Sequence, residues 1–306
     1  MVQVGNFPSS KSYRLFVTSF LNWRLVKVDA HDTTDVRTNF YPLLDFGEGD
    51  VLRLSTVDVE LRDLIDKSRQ ALSECRKDVV PSSMPILFFG DLACYKASKG
   101  LKVVTVGLNP SRDEFPKGKR FSRFPLMRGW SRQRFNHDKY VQSLASYFEG
   151  DYYRGYFDDF EDVLQAFGVS YRHRNGHGRA LHTDFCSPFA SRNLWGELSN
   201  AAQMKFKKRG VPLWQGVIKY LKPDVMLSTI AFKKHLAPEI HGPWRKRTIR
   251  IGVQKYKVYW FNAGLSRIAN IEHVINGRLM MRRVLGNLSS DGRKQLGRII
   301  YRLVMK

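Results

Sequence analysis

The chain has 306 residues, 43% of them hydrophobic and 26% charged, which is the balance of a folded protein with one large core, or a catalytic domain with a modest appendage. That excludes a mini-protein and a disordered or fibrous chain. Lys and Arg number 51 against 28 Asp and Glu, a formal net charge of +23, so the surface attracts polyanions and nucleic acid is the leading partner. Integral membrane insertion is not expected, since the chain contains no apolar run long enough to cross a bilayer. Its start lacks the basic, apolar and small-residue succession of a secretory leader, and a cytoplasmic location is expected. Cys75, Cys94 and Cys186 are scattered and odd in number, without a C-x-x-C pair. They suggest neither a disulfide framework nor a zinc site.

In chain order, residues 1–58 read as an irregular opening with strand-like pieces at 14–20 and 25–28. Residues 59–77 carry Leu61, Leu64, Ile65 and Leu72 at helical spacing. Residues 79–84, with Pro81 and two serines, read as a linker. Four short β-rich apolar runs follow, at 103–107, 180–186, 224–229 and 257–261, and are expected as buried parallel strands. The stretches at 140–148, 157–167, 194–206, 213–221 and 268–274 have the length and spacing of covering helices. The expected fold is α/β: a three-layer α/β/α sandwich around a central, mainly parallel four-stranded sheet. Residues 1–80 form an N-terminal extension, 81–275 the catalytic domain and 276–306 a basic, helical C-terminal extension.

In open α/β sheets, ligands bind beyond the carboxyl ends of the strands. The first run ends in Gly107-Leu108-Asn109-Pro110-Ser111, where Pro110 stiffens a turn that projects the Asn109 amide. Taken alone, the turn reads more readily as a helix entry with Ser111 as N-cap and Glu114 closing a capping box. The fourth run ends in Phe261-Asn262-Ala263-Gly264-Leu265-Ser266-Arg267. Together these segments resemble the uracil-DNA glycosylase superfamily, and most of all its mismatch-specific uracil and thymine branch, with its G-I-N-P-G and N-P-S-G-L-S-R motifs. Asn262-Ala263 replaces Asn-Pro-Ser, which shortens the second loop by one residue. The resemblance covers about residues 100–275. A third segment, His182-Thr183-Asp184-Phe185-Cys186-Ser187-Pro188, is similar to the H-N-x-C-P stretch of the single-strand-selective branch, with Asp184 in place of the Asn that reads uracil.

The resemblance implies a monofunctional DNA glycosylase that flips a nucleotide from duplex DNA and hydrolyses its N-glycosidic bond without a cofactor or metal, leaving an abasic site. It implies Asn109 as the residue that orients water and Asn262 as a hydrogen-bonding group near base O2. Gly264, Leu265, Ser266 and Arg267 would form the loop that wedges into the stack and holds the gap. Asp184 would read the base. A carboxylate accepts from the exocyclic amine of cytosine, whereas an amide suits uracil. Ser111 stands where strict uracil enzymes carry a Tyr, and its small size leaves room for a C5 substituent. Asp184 and Ser111 together suggest a 5-modified cytosine, such as the glucosylated hydroxymethylcytosine of phage DNA, and a role in antiviral defence.

Phe121 and Phe124 are candidates for stacking on the flipped base, against an equal expectation of plain core aromatics. Asp113 and Glu114 are replacement bases or, more often for first-turn acids, dipole-compensating residues. Asp184 has a bland alternative as the cap of a helix beginning near Ser191 or as the partner of an Arg. Arg172, His173 and Arg174, the cluster Arg245, Lys246 and Arg247, and the Arg282 to Arg302 segment are expected phosphate contacts. Two rival readings stand beside the first: a uracil or thymine mismatch repair glycosylase, and a noncatalytic DNA-binding protein.

Overall fold

The computed structural model describes residues 12–19, 22–29, 57–131, 134–172, 177–263, 266–280 and 283–306. The chain divides into two units, Met1–Leu54 and Ser55–Lys306. In the first, β1 (Ser12–Ser19) and β2 (Asn22–Asp29) pair antiparallel with Ser19 opposite Asn22. The pieces expected at 14–20 and 25–28 fall on these strands, except that Phe20 lies outside the described residues.

The second unit is built on one mixed sheet of eight strands. These are β3 (Val103–Gly107), β4 (Val169–Ser170), β5 (Gly178–Asp184), β6 (Val225–Ser228), β7 (Arg245–Ile251), β8 (Gln254–Ala263), β9 (Ser266–Ile275) and β10 (Arg278–Met280). Their order is β4-β5-β3-β6-β9-β8-β7, with β10 also paired to β9. The first five in that order run parallel, whereas β8, β7 and β10 join antiparallel.

The expectation of a mainly parallel four-stranded sheet is therefore corrected. Residues 257–261 belong to antiparallel β8, and the fourth long parallel strand is β9, which occupies the 268–274 stretch expected as a helix. Ile268, Ile271 and Val274 fit either element by spacing. Alternate residues Ala269, Ile271 and His273 are buried on one face, and Ile268, Asn270 and Glu272 on the other. A strand covered on both faces loses the period-2 alternation that would have identified it. Turn chemistry fixes these strands. Gly252, at φ 57, sits in the two-residue link between β7 and β8, and Asn276 (φ 47) with Gly277 (φ 77) links β9 to β10, the backbone that tight hairpins require.

Seven helices are described in this unit: α1 (Val59–Glu74), α2 (Leu92–Ala97), α3 (His137–Ala145), α4 (Arg154–Leu164), α5 (Asn200–Leu221), α6 (Ala237–Glu239) and α7 (Ser290–Met305). α1 buries the expected stripe of Leu61, Leu64, Ile65 and Leu72, and Asp58 caps it by accepting from the Leu61 amide at 2.9 Å. The two helices expected at 194–206 and 213–221 are one, α5, which passes through Pro212. Its Gly210 lies against the Cys186 and Ser187 backbone, where a Cβ would overlap the Cys186 carbonyl. From α5, the Trp214 indole donates to Thr183 Oγ1 at 3.1 Å. On α4, Tyr156 and Phe157 pack edge-on to the His182 ring. Successive strand residues point to opposite faces, so α4 and α5 cover opposite sides of the sheet.

Residues 55–80 sit in the main unit. Val79 bridges to Ser191, and Val79, Ser83 and Met84 are buried, so this segment packs into the core instead of acting as a linker. α7 is likewise a core element. Leu296, Ile300 and Val304 are buried, and Arg293 bonds Asp159 at 3.1 Å and Asp162 at 2.8 Å, both on α4. Arg282 lies outside the described residues. No helix among the described residues is long and apolar enough to cross a membrane. Ile300→Ala is expected to lower the unfolding free energy by about 2–5 kcal/mol in denaturant titration. A helix that merely extended from the surface would lose almost nothing.

Candidate active site

Parallel register sets the site. Gly107, the last residue of β3, pairs with Asp184, the last of β5. The two strands stay joined beyond the sheet, the Phe185 amide donating to Gly107 O at 2.9 Å and the Cys186 amide to Leu108 O at 2.8 Å. The Asn109 turn and the Asp184 segment thus leave the carboxyl edge together. Thr105 and Gly107 of β3 share a face with His182 and Asp184 of β5. A Cβ on residue 107 would stand 2.5 Å from Asp184 Oδ1 and 3.0 Å from His182 Nε2. Glycine is what leaves space for the carboxylate.

Asp184 is 5% exposed, and its Oδ2 is buried with no hydrogen-bond partner among the described residues. Its Oδ1 stands 3.6 Å from His182 Nε2, beyond hydrogen-bond length. His182 is tethered at its other nitrogen, Nδ1, to Thr105 Oγ1 at 2.8 Å, and Thr105 in turn bonds the Tyr171 hydroxyl. Asp184 is not a helix cap, since Ser199 caps α5. A carboxylate oxygen removed from water without a partner is costly, and either an ordered water or a ligand would satisfy it.

Asn109 is half-buried. Its Nδ2 donates to Ser191 Oγ at 2.9 Å and to Pro110 O at 3.0 Å, which anchors the amide and leaves Oδ1 to accept. Ser111 caps the 3₁₀ turn Arg112–Glu114 by accepting from the Asp113 amide at 3.1 Å. Glu114 is the residue that sequence reasoning undervalued. It is 2% exposed, and its Oε2 accepts from Tyr147 Oη at 2.7 Å and Arg123 Nη1 at 3.2 Å. Burial pushes its carboxyl up to about 7 against the pull of Arg123 and Tyr147, and the charge of Asp184 adds to the rise. The available signal was an acid among Phe115, Phe121 and Phe124, masked by its match to a capping box. Phe124 is fully buried, stacked on Phe115 at 5.5 Å and on Tyr147 at 5.4 Å, and is core. Phe121 is half-buried, edge-on to Phe115.

The 262–267 segment lies elsewhere. Asn262 pairs with Arg267 in the β8–β9 hairpin, and Arg267 stands beside Val225 at the start of β6, while Asn270 stands beside Ser228 at its end. Three residues of strand, about 10 Å, separate this hairpin row from the carboxyl edge before the turns are reached. Asn262 is exposed, and Ser266 donates to Pro223 O at 2.7 Å. Gly264 and Leu265 lie outside the described residues, as do His173 and Arg174. Asn109, Ser111, Asp184 and Phe121 thus belong to the carboxyl edge, and Asn262, Ser266 and Arg267 to the opposite one. Arg245, Lys246 and Arg247 are exposed on the edge strand β7, four strand spacings or about 20 Å from β3.

Cys186 Sγ and His235 Nδ1 approach to 3.8 Å in the core. Burial raises the thiol to about 12 and lowers the imidazole to about 4, so the pair is neutral and carries no thiolate nucleophile. Among the described residues, no three His, Cys, Asp or Glu side chains converge as a metal site. Neither a protein-family model, nor a curated protein, nor a solved structure matches this chain.

Glu114 generates a pH prediction. A carboxyl raised from 4.5 to about 7 on folding stabilises the fold fully below pH 4.5 and loses that contribution as pH rises through about 7. The melting temperature of the wild type is expected to fall across that window relative to Glu114→Gln, measured side by side by calorimetry. Parallel curves would place the shift elsewhere.

Proposed function

We propose that the protein is a DNA glycosylase whose chemistry takes place at the carboxyl edge of β3 and β5. The observation that carries this reading is the buried, unpartnered Oδ2 of Asp184, held beside the Asn109 turn where α/β sheets bind their ligands. The net charge of +23 supplies the attraction for DNA, and such an enzyme would work in the cytoplasm.

In the proposed reaction an everted cytosine-type base donates its exocyclic amine to Asp184. The C1′–N bond breaks with its electron pair going to the base, leaving an oxocarbenium-like sugar. Water adds to C1′ and gives up its proton. Asn109 Oδ1 orients that water, and Glu114, buried and raised to about 7, is suited to take the proton near neutral pH. The nearby carboxylates also favour the developing positive charge. Ser111, capping its turn, leaves the C5 side of the base open, which favours bulky 5-modified cytosines of the kind viruses use to shield their DNA. Phe121 lies within the same loop as a partner for the base face. The exposed Arg245, Lys246 and Arg247 are suited to backbone phosphates beyond the site.

A second reading, a noncatalytic DNA-binding protein, is favoured by one observation: the 262–267 hairpin and the Asn109 turn stand at opposite edges of the sheet.

Mass spectrometry of free bases released from a panel of modified DNAs decides between them. The expected product is a 5-modified cytosine. Uracil alone would move the assignment to mismatch repair, and no base at all to the noncatalytic reading. Asp184→Asn is expected to lower release of the cytosine-type base about tenfold to a hundredfold and to raise that of uracil. Gly107→Ala is expected to abolish release by displacing the Asp184 carboxylate, with the fold retained by circular dichroism.

A further inference from the structure

A cleft of about 340 Å³ opens between the turn at 126–130 and the start of α3, on the long connection that leaves the carboxyl end of β3. Its size falls in the range of roughly 300–1,000 Å³ typical of small-ligand sites. Arg128, Arg134 and Lys139 line it, all three exposed. None of them pairs with a carboxylate among the described residues, whereas Arg123, Arg209 and Arg293 are each held by Glu or Asp. Three unpaired cations in one concavity repel one another until an anion enters.

Two more features point to the same ligand. Asn136, also in the wall, caps α3 by accepting from the Lys139 amide at 2.9 Å, so the positive end of that helix faces the cleft. Trp130 presents a half-buried ring, and its indole N–H is buried with no hydrogen-bond partner among the described residues. Phe135 is already covered on one face by the Arg69 guanidinium at 4.0 Å, which leaves Trp130 as the platform for a second ring. Cations around an aromatic face are the combination that holds phosphate and base together.

We propose that this cleft seats one nucleotide of an unpaired nucleic-acid strand, its base on Trp130 and its phosphate against Arg128, Arg134 and Lys139. It is a binding site separate from the Asp184 carboxylate. The inference extends the proposed activity and rests on it only in taking nucleic acid as the partner.

The test is fluorescence anisotropy with a labelled single-stranded oligonucleotide of unmodified bases and the full chain. Arg128→Glu with Arg134→Glu is expected to weaken binding by about tenfold or more, and Trp130→Ala by a similar factor that Trp130→Phe largely restores. The control is Lys205→Glu with Lys208→Glu on α5, which changes net charge equally. A loss no greater than this control's would overturn the cleft, as would polyglutamate competing as well as the oligonucleotide. Competition by a free mononucleotide at equal nucleotide concentration would confirm the chemistry but assign the site to a free nucleotide. Base release is scored separately. Cleft variants that bind normally while wild type releases base sink only the cleft, and cleft-dependent binding without base release sinks only the glycosylase.

Discussion

The close approach of β5 to β3 at their carboxyl ends governs everything that can happen at this edge of the molecule. Register places Asp184 beside residue 107, and only the lack of a side chain there lets a carboxylate and an imidazole occupy the same small volume. The amide bonds from Phe185 and Cys186 continue the pairing past the last strand residue, so the two outgoing loops cannot drift apart. Gly210 does the equivalent service from the other face, letting α5 rest directly on the Cys186 and Ser187 backbone. Two glycines, one per face, thus hold the candidate site in place.

Around this point the polar groups are layered. Thr105, Tyr171 and His182 form a satisfied chain beneath the carboxylate, and Glu161 holds Ser170 and the Tyr171 amide at the end of β4. Above it, Asp184 Oδ2 has no partner among the described residues. Glu114, clasped by Arg123 and Tyr147 in a stack of aromatic rings, is the second acid of the edge, and its burial raises its carboxyl to about 7.

The parallel heart of the sheet was legible in the chain because β3, β5 and β6 are short, apolar and bounded by turn residues, and the α1 stripe was legible because one face is polar. The right-hand half was not. The 268–274 stretch carries Ile, Ala and Val at spacings shared by strand and helix, and burial on both sides erases the alternation. Yet Gly252 and the Asn276-Gly277 pair were hairpin signals in plain view, and their positive φ values close the β7–β8 and β9–β10 hairpins. Weighing them would have marked residues 254–263 as the partner of an antiparallel strand rather than as a fourth parallel one. For the site, Asn109 and Asp184 could be singled out because Asp184 ends a strand and Asn109 stands in the turn just past one, whereas the importance of Glu114 depends on Tyr147 and Arg123, 33 and 9 residues away. Local spacing contains no trace of such partners.

The clamp of α7 on α4 sets an order of events during synthesis. Arg293 reaches Asp162 across 131 residues of chain, and the apolar side of β8 and β9 beneath α7 stays uncovered until Val304 has been made. A nascent chain therefore carries an uncovered β-ribbon through the last stage of its translation, between completion of β9 and completion of α7, a surface prone to pairing with its neighbours. The basic residues distributed along β7 are like charges on an edge strand, a feature that opposes the addition of another copy's strand to the sheet.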